Sequence, residues 1–334
     1  MCARHQEHHL KGGTGYNDAM LKKAVFIDFK KSEIEKKYLD RIKKLFESIV
    51  FTPRDDATLL NVVKDSQAIL ARISTKIDKG LIDAAPTLKY IGTLSAAFDA
   101  VDAKYARSKQ IDVCNLGGYS TGAVSEFFFA VLFEHVRELE KAKHQARKED
   151  YSLDKFMDLE LSGKTLGVIG AGKIGSRIAE IGLGIGLKVL YFSREVKGDI
   201  EKRGARKTEL ENLLSESDFV SLNLALNNET KGIINKDRIK LLKKGSVFVS
   251  LSPPLLIDQE AMMKKADCGD ITFVFDHSDD IDAALAKRFL TTKNCIVYPP
   301  IAFRTIEANT ARWETFVSNI ERFVSGRPQN VVNP

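Results

Sequence analysis

Three glycines, at 170, 172 and 175, carry the clearest chemistry in this 334-residue sequence. They stand in Gly170-Ala171-Gly172-Lys173-Ile174-Gly175. The segment follows the apolar run Leu166-Gly167-Val168-Ile169 and opens a stretch with Ile174, Ile178 and Ile181 at helical spacing. A G-x-G-x-x-G between a strand and a helix is the pattern that receives a dinucleotide pyrophosphate. The first glycine allows a tight turn, the second lets backbone approach the phosphates, and the third lets helix and strand pack closely. The helix start, here Lys173 and Ile174, adds unpaired N–H groups and the positive end of a dipole. Ser162-Gly163-Lys164-Thr165 looks like the end of a nucleoside-triphosphate loop. However, Asp158 stands where that loop requires a glycine, so this reading fails.

The next apolar run ends in Leu190-Tyr191-Phe192-Ser193-Arg194, with Lys197 just beyond. An acid at this strand end binds a ribose 2′-hydroxyl, whereas an arginine suits a 2′-phosphate. Ser193 supplies no acid and Arg194 supplies a planar cationic fork. The sequence therefore predicts NADP(H) as the preferred cofactor, with NAD(H) as the alternative.

These residues need a scaffold, and the hydrophobic pattern supplies one. Short apolar runs at Ala24–Ile27, Ile49–Phe51, Ala68–Ala71, Leu88–Gly92 and Ile111–Cys114 alternate with helical stripes. The same alternation resumes at Leu166 and continues through runs at 188–192, 219–224, 246–251, 271–275 and 295–298. Strand–helix alternation predicts α/β architecture with parallel sheets covered on both faces. Residues 122–147 read as one long helix connecting two such blocks, and 305–325 as a last helix. Residues 1–20 hold His5, His8 and His9 without periodicity and read as a disordered tail with no metal function. The net charge of +6 is spread among 45 acidic residues, which argues against nucleic acid as a partner. No apolar run approaches a membrane span. Four scattered cysteines make neither a disulfide framework nor a zinc site, and the cytoplasm is the expected location.

With these elements placed, the chain resembles the D-isomer-specific 2-hydroxyacid dehydrogenase family. The likeness covers about residues 66–326. It rests on Leu88-Lys89-Tyr90-Ile91-Gly92, on Asn115 to Glu126, on Leu161 to Gly170, on Glu216 to Leu222 and on Glu229 to Asn235. The resemblance implies a flavodoxin-like substrate domain (21–121 plus 304–334) and a Rossmann coenzyme domain (122–303), with a cleft between them. It also implies a small-molecule substrate, a homodimer, and further cofactor contacts at Thr121, Leu224, Ala225, Thr230, Leu251 and Asp276.

The family reduces 2-keto acids with an arginine, and with a histidine paired to a glutamate. At the matching positions this sequence has Pro253, Pro300 and Ile281. Proline offers no charge and no side-chain donor. Asn223 and Ala225 also replace the family's H-x-P, and Ser95-Ala96-Ala97-Phe98 replaces a glycine-rich turn. Candidate replacements are Arg72, His277 and Arg304, with Asp279 or Asp280 to orient His277, and Tyr119 or Tyr298 as proton donors. Three readings follow. The first is an NADPH-dependent oxidoreductase of changed substrate chemistry, acting on an imine or a bulkier apolar carbonyl. The second is a non-catalytic NADP(H)-binding sensor or scaffold. The third is a 2-keto acid reductase with relocated catalytic residues.

Overall fold

The computed structural model describes residues 20–154, 156, 159–277 and 281–334. The histidine-containing tail therefore lies outside the described residues, apart from Met20, as do Asp279 and Asp280. The described residues divide into two compact units, one up to residue 119 with 309–334 and the other within 120–308. The divisions fall at 119/120 and 308/309, where 121/122 and 303/304 were expected.

The first unit holds a five-stranded sheet. Its strands are β1 (Leu21–Ile27), β2 (Phe46–Thr52), β3 (Ala68–Ala71), β4 (Tyr90–Thr93) and β5 (Asp112–Cys114). They lie in the order β2-β1-β3-β4-β5, all parallel. Every residue of β3 and β4 is buried, as expected of strands covered on both faces. One face packs on Trp313, Phe316, Val317, Ile320 and Phe323 of the last helix, Ile306–Val324. The other packs on Leu81, Ile82 and Ala106 from short helices.

The second unit holds seven strands: β6 (Thr165–Ile169), β7 (Lys188–Phe192), β8 (Arg206–Lys207), β9 (Phe219–Leu222), β10 (Ser246–Ser250), β11 (Ile271–Phe275) and β12 (Cys295–Val297). The order is β12-β11-β10-β9-β6-β7-β8, again all parallel. The order reverses between β6 and β9. In an open α/β sheet, a ligand binds outside the carboxyl ends of the strands at such a reversal.

The long connector departs from expectation. Residues 122–147 are not one helix but two, Thr121–Val136 and Leu139–Ala146, broken where Glu138 adopts a left-handed φ of 43°. Phe128, Phe129, Val131, Leu132 and Val136 bury the first helix, whereas the second buries no residue. Without packing to hold it straight, the solvated segment is free to turn at the break. No described helix is long and apolar enough to cross a membrane.

Candidate dinucleotide site

The loop after β6 gives each glycine a separate steric task. Gly170 has φ +92°, and a Cβ there would meet the Asn223 carbonyl oxygen at 2.7 Å. That oxygen belongs to the loop after β9, so the turn is pressed against its neighbour across the reversal point. A Cβ on Gly175 would overlap the Gly170 carbonyl and meet Val168 Cγ1 at 3.0 Å, because the helix Lys173–Gly184 sits directly on β6. Gly172 differs: nothing lies within 4 Å of where its Cβ would stand. Its backbone faces open space at the helix start, and no side chain caps that helix. Two glycines are thus consumed by packing, and the one between them leaves a cradle that a side chain would fill. These residues fit a dinucleotide pyrophosphate.

The other expected contacts lie at the same edge of the sheet. Thr121 opens the helix Thr121–Val136, and Ser125 Oγ donates to its carbonyl at 2.7 Å while lying 3.4 Å from the carbonyl of Ile174. Leu224 and Ala225 follow β9. Thr230 Oγ1 donates to the Ala225 carbonyl at 2.7 Å and accepts from Asn227 N–H at 2.9 Å, which closes the loop after β9 on itself. Leu251 follows β10, where Ser252 Oγ donates to the Leu222 carbonyl at 2.9 Å and ties the ends of β9 and β10 together. Asp276 follows β11 and is only 4% exposed.

Ser193, Arg194 and Lys197 follow β7. The Arg194 guanidinium is 88% exposed and lies 3.7 Å from Glu229, a pair too solvated to fix either partner. Lys197 pairs with Glu195 at 3.1 Å. Its backbone N–H donates to the Tyr191 hydroxyl at 2.9 Å, and that hydroxyl donates to Glu201 Oε1 at 2.8 Å. Burial, as the main cause, holds the Tyr191 phenol above its ordinary pKa, so it stays a donor at physiological pH.

The three residues that replace the catalytic set also fall at carboxyl ends, Pro253 after β10, Ile281 after β11 and Pro300 after β12. The replacement candidates are scattered. Arg72, in the first unit at the end of β3, is held by Glu33 at 2.5 Å and leans over the Phe29 ring. His277 Nε2 lies 3.7 Å from Asp276 Oδ1. Arg304 is exposed in the second unit. Tyr119 packs against the first unit's core. Tyr298 meets Phe127 edge-on at 5.5 Å, and burial with Glu134 nearby raises its pKa, which makes it a poorer acid. Phe127 is thus a packing residue of the second unit.

A family model described as "D-isomer specific 2-hydroxyacid dehydrogenase, NAD binding domain" matches residues 129–302. The chain belongs to the D-isomer-specific 2-hydroxyacid dehydrogenase family. Within that family it is similar to a glyoxylate reductase of Aeropyrum pernix, 31% identical over 90% of this chain and 94% of the relative. Among solved structures it is similar to a D-lactate dehydrogenase of Aquifex aeolicus in complex with NAD and lactic acid. That match has a TM-score of 0.80 and 28% identity over 91% of this chain and 96% of the other. A second is an acyclic imino acid reductase in complex with NADPH and D-Arg, at a TM-score of 0.81 and 26% identity over 93% and 99%. In this family member the glycine loop follows β6, and Pro253, Ile281 and Pro300 follow β10, β11 and β12 of the same sheet.

Proposed function

We propose that the protein is a cytoplasmic, NADPH-dependent reductase whose electrophile is an imine in its protonated, iminium form. The carrying observation is the replacement of the arginine, glutamate and histidine by Pro253, Ile281 and Pro300 beside a complete dinucleotide loop. A neutral 2-keto acid needs a cation to polarise its carbonyl and an acid to protonate its oxygen. An iminium needs neither. It is cationic already; when its carbon accepts hydride, the C=N π pair withdraws to nitrogen as a lone pair and the product is an amine. No proton is transferred in that step. When bound, NADPH would supply the hydride. A site stripped of arginine and histidine also removes positive charge that would repel such a substrate. The similarity to the imino acid reductase supports the same class, and Ser193 with Arg194 supports the phosphorylated cofactor.

The test is NADPH oxidation with a 2-keto acid, with and without a primary amine that condenses with it to the imine. Adding amine is expected to raise the rate by roughly a hundredfold, the scale of an absent general acid. Equal rates with and without amine would instead favour the keto acid reductase with relocated residues. Absence of turnover with either substrate, despite nucleotide binding, would favour the non-catalytic sensor.

The second unit exposes Phe133, Leu139, Tyr151, Leu153 and Leu159, with Tyr151 and Leu153 at 76% and 80%. Phe133 and Leu159 line one recess with Arg137, Leu161 and Ile185. Exposed apolar side chains around such a recess support an interaction surface, and a second copy of this chain is the proposed occupant. Light scattering is expected to report twice the 37.2 kDa chain mass. A monomer at micromolar concentration would refute the dimer.

A further inference from the structure

We infer that Lys207 is the second cation of a 2′-phosphate site and determines the preference for NADPH over NADH together with Arg194. The inference rests on the NADPH reading above. β8 is only Arg206–Lys207, a parallel strand laid against the outer side of β7. In its register Lys207 stands opposite Tyr191, three residues before Arg194. The Lys207 ammonium donates to the Arg194 carbonyl at 3.2 Å. The Lys207 ammonium thus reaches, from the neighbouring strand, the backbone of the loop that carries Arg194.

Lys197, which sequence alone offers for this role, is less suited. Its ammonium is held by Glu195, and the same contact lowers the Glu195 pKa, so the acid remains charged and keeps its partner. What Lys197 contributes is its backbone. The N–H bonded to Tyr191, itself bonded to Glu201, pegs the loop between Arg194 and the helix Gly198–Glu201. With the loop pegged, the backbone that carries Arg194 and accepts from Lys207 is held in place before binding, so less backbone ordering opposes it. The Arg194 guanidinium lies 3.7 Å from Glu229, whereas the Lys207 ammonium is bonded to a backbone carbonyl. A 2′-phosphate dianion would draw both cations, whereas a ribose 2′-hydroxyl offers no charge to either.

The experiment is fluorescence titration of the full-length protein with NADPH and NADH, in the wild type and in Lys207→Met and Lys207→Arg. Losing one charge-assisted contact is expected to weaken NADPH roughly tenfold or more in Lys207→Met. NADH affinity should stay within about twofold, and the NADPH affinity should lose part of its salt dependence. Lys207→Arg is expected to keep the preference. An equal loss for both nucleotides in Lys207→Met, with an unchanged melting temperature, would overturn the assignment, as would an unchanged NADPH/NADH ratio. A wild type that binds both nucleotides equally would overturn the NADPH reading itself, whatever the variants do.

Discussion

Gly175→Ala is expected to cost both the fold of the second unit and the cofactor, whereas Gly172→Ala is expected to cost the cofactor alone. The added methyl at 175 would overlap the Gly170 carbonyl oxygen, which is backbone and has no rotamer to yield. Relief requires the helix Lys173–Gly184 to lift from β6, disturbing Ile178 and Ala179, both fully buried. Overpacking of this kind costs about 3 kcal/mol. In a unit of this size that corresponds to a fall of roughly 10 °C in its melting transition. At 172 the methyl enters open space, and the glycine's φ of −76° is one that alanine adopts without strain. Stability should therefore change by less than about 0.5 kcal/mol. The same methyl occupies the cradle a pyrophosphate needs, and losing charge-assisted contacts to helix N–H groups should weaken either nucleotide roughly ten- to hundredfold. Calorimetry and fluorescence titration on both variants separate the effects. If Gly172→Ala bound NADPH as tightly as the wild type, the loop would not be the nucleotide site.

That contrast shows why this part of the site is legible in sequence. Each glycine answers a different steric demand, and no other residue meets the demands at 170 and 175, so the demand is visible in the residue type. The strands of both sheets are legible for a similar reason: burial on both faces forces unbroken apolar runs such as Ala68–Ala71. β8 is not legible. Two basic residues have no period, and Arg206 and Lys207 become a strand only because β7 presents an edge to pair with. Lys207 therefore carries no signal as a ligand until that pairing is known. The break at Glu138 is hidden as well, because the residues around it are ordinary helix formers and only the end of burial at Val136 marks it. The chemistry was legible chiefly as loss: proline at 253 and 300 states what cannot happen there and leaves the substrate to be inferred from what such a site still favours.

What it favours is tested most sharply at Asp276. Asp276→Asn is expected to lower the rate of iminium reduction by roughly a hundredfold near pH 8, the scale of a lost electrostatic partner in a buried site. Asp276 directly follows β11, between buried Phe275 and half-buried His277, at 4% exposure, in the unit that carries the dinucleotide loop. An ionised carboxylate at this position would favour a cationic electrophile over its neutral imine and so raise the pKa of the bound imine. The sign follows directly. With the carboxylate present, the reactive cation persists to higher pH; with asparagine, the alkaline limb of the rate profile moves to lower pH. The loss should therefore be larger at pH 8 than at pH 6. Burying a carboxylate is costly to the fold, so the neutral amide is expected to leave the melting temperature unchanged or raise it. A purely structural Asp276 would behave differently: stability and rate would fall together at every pH, and the profile would keep its midpoint.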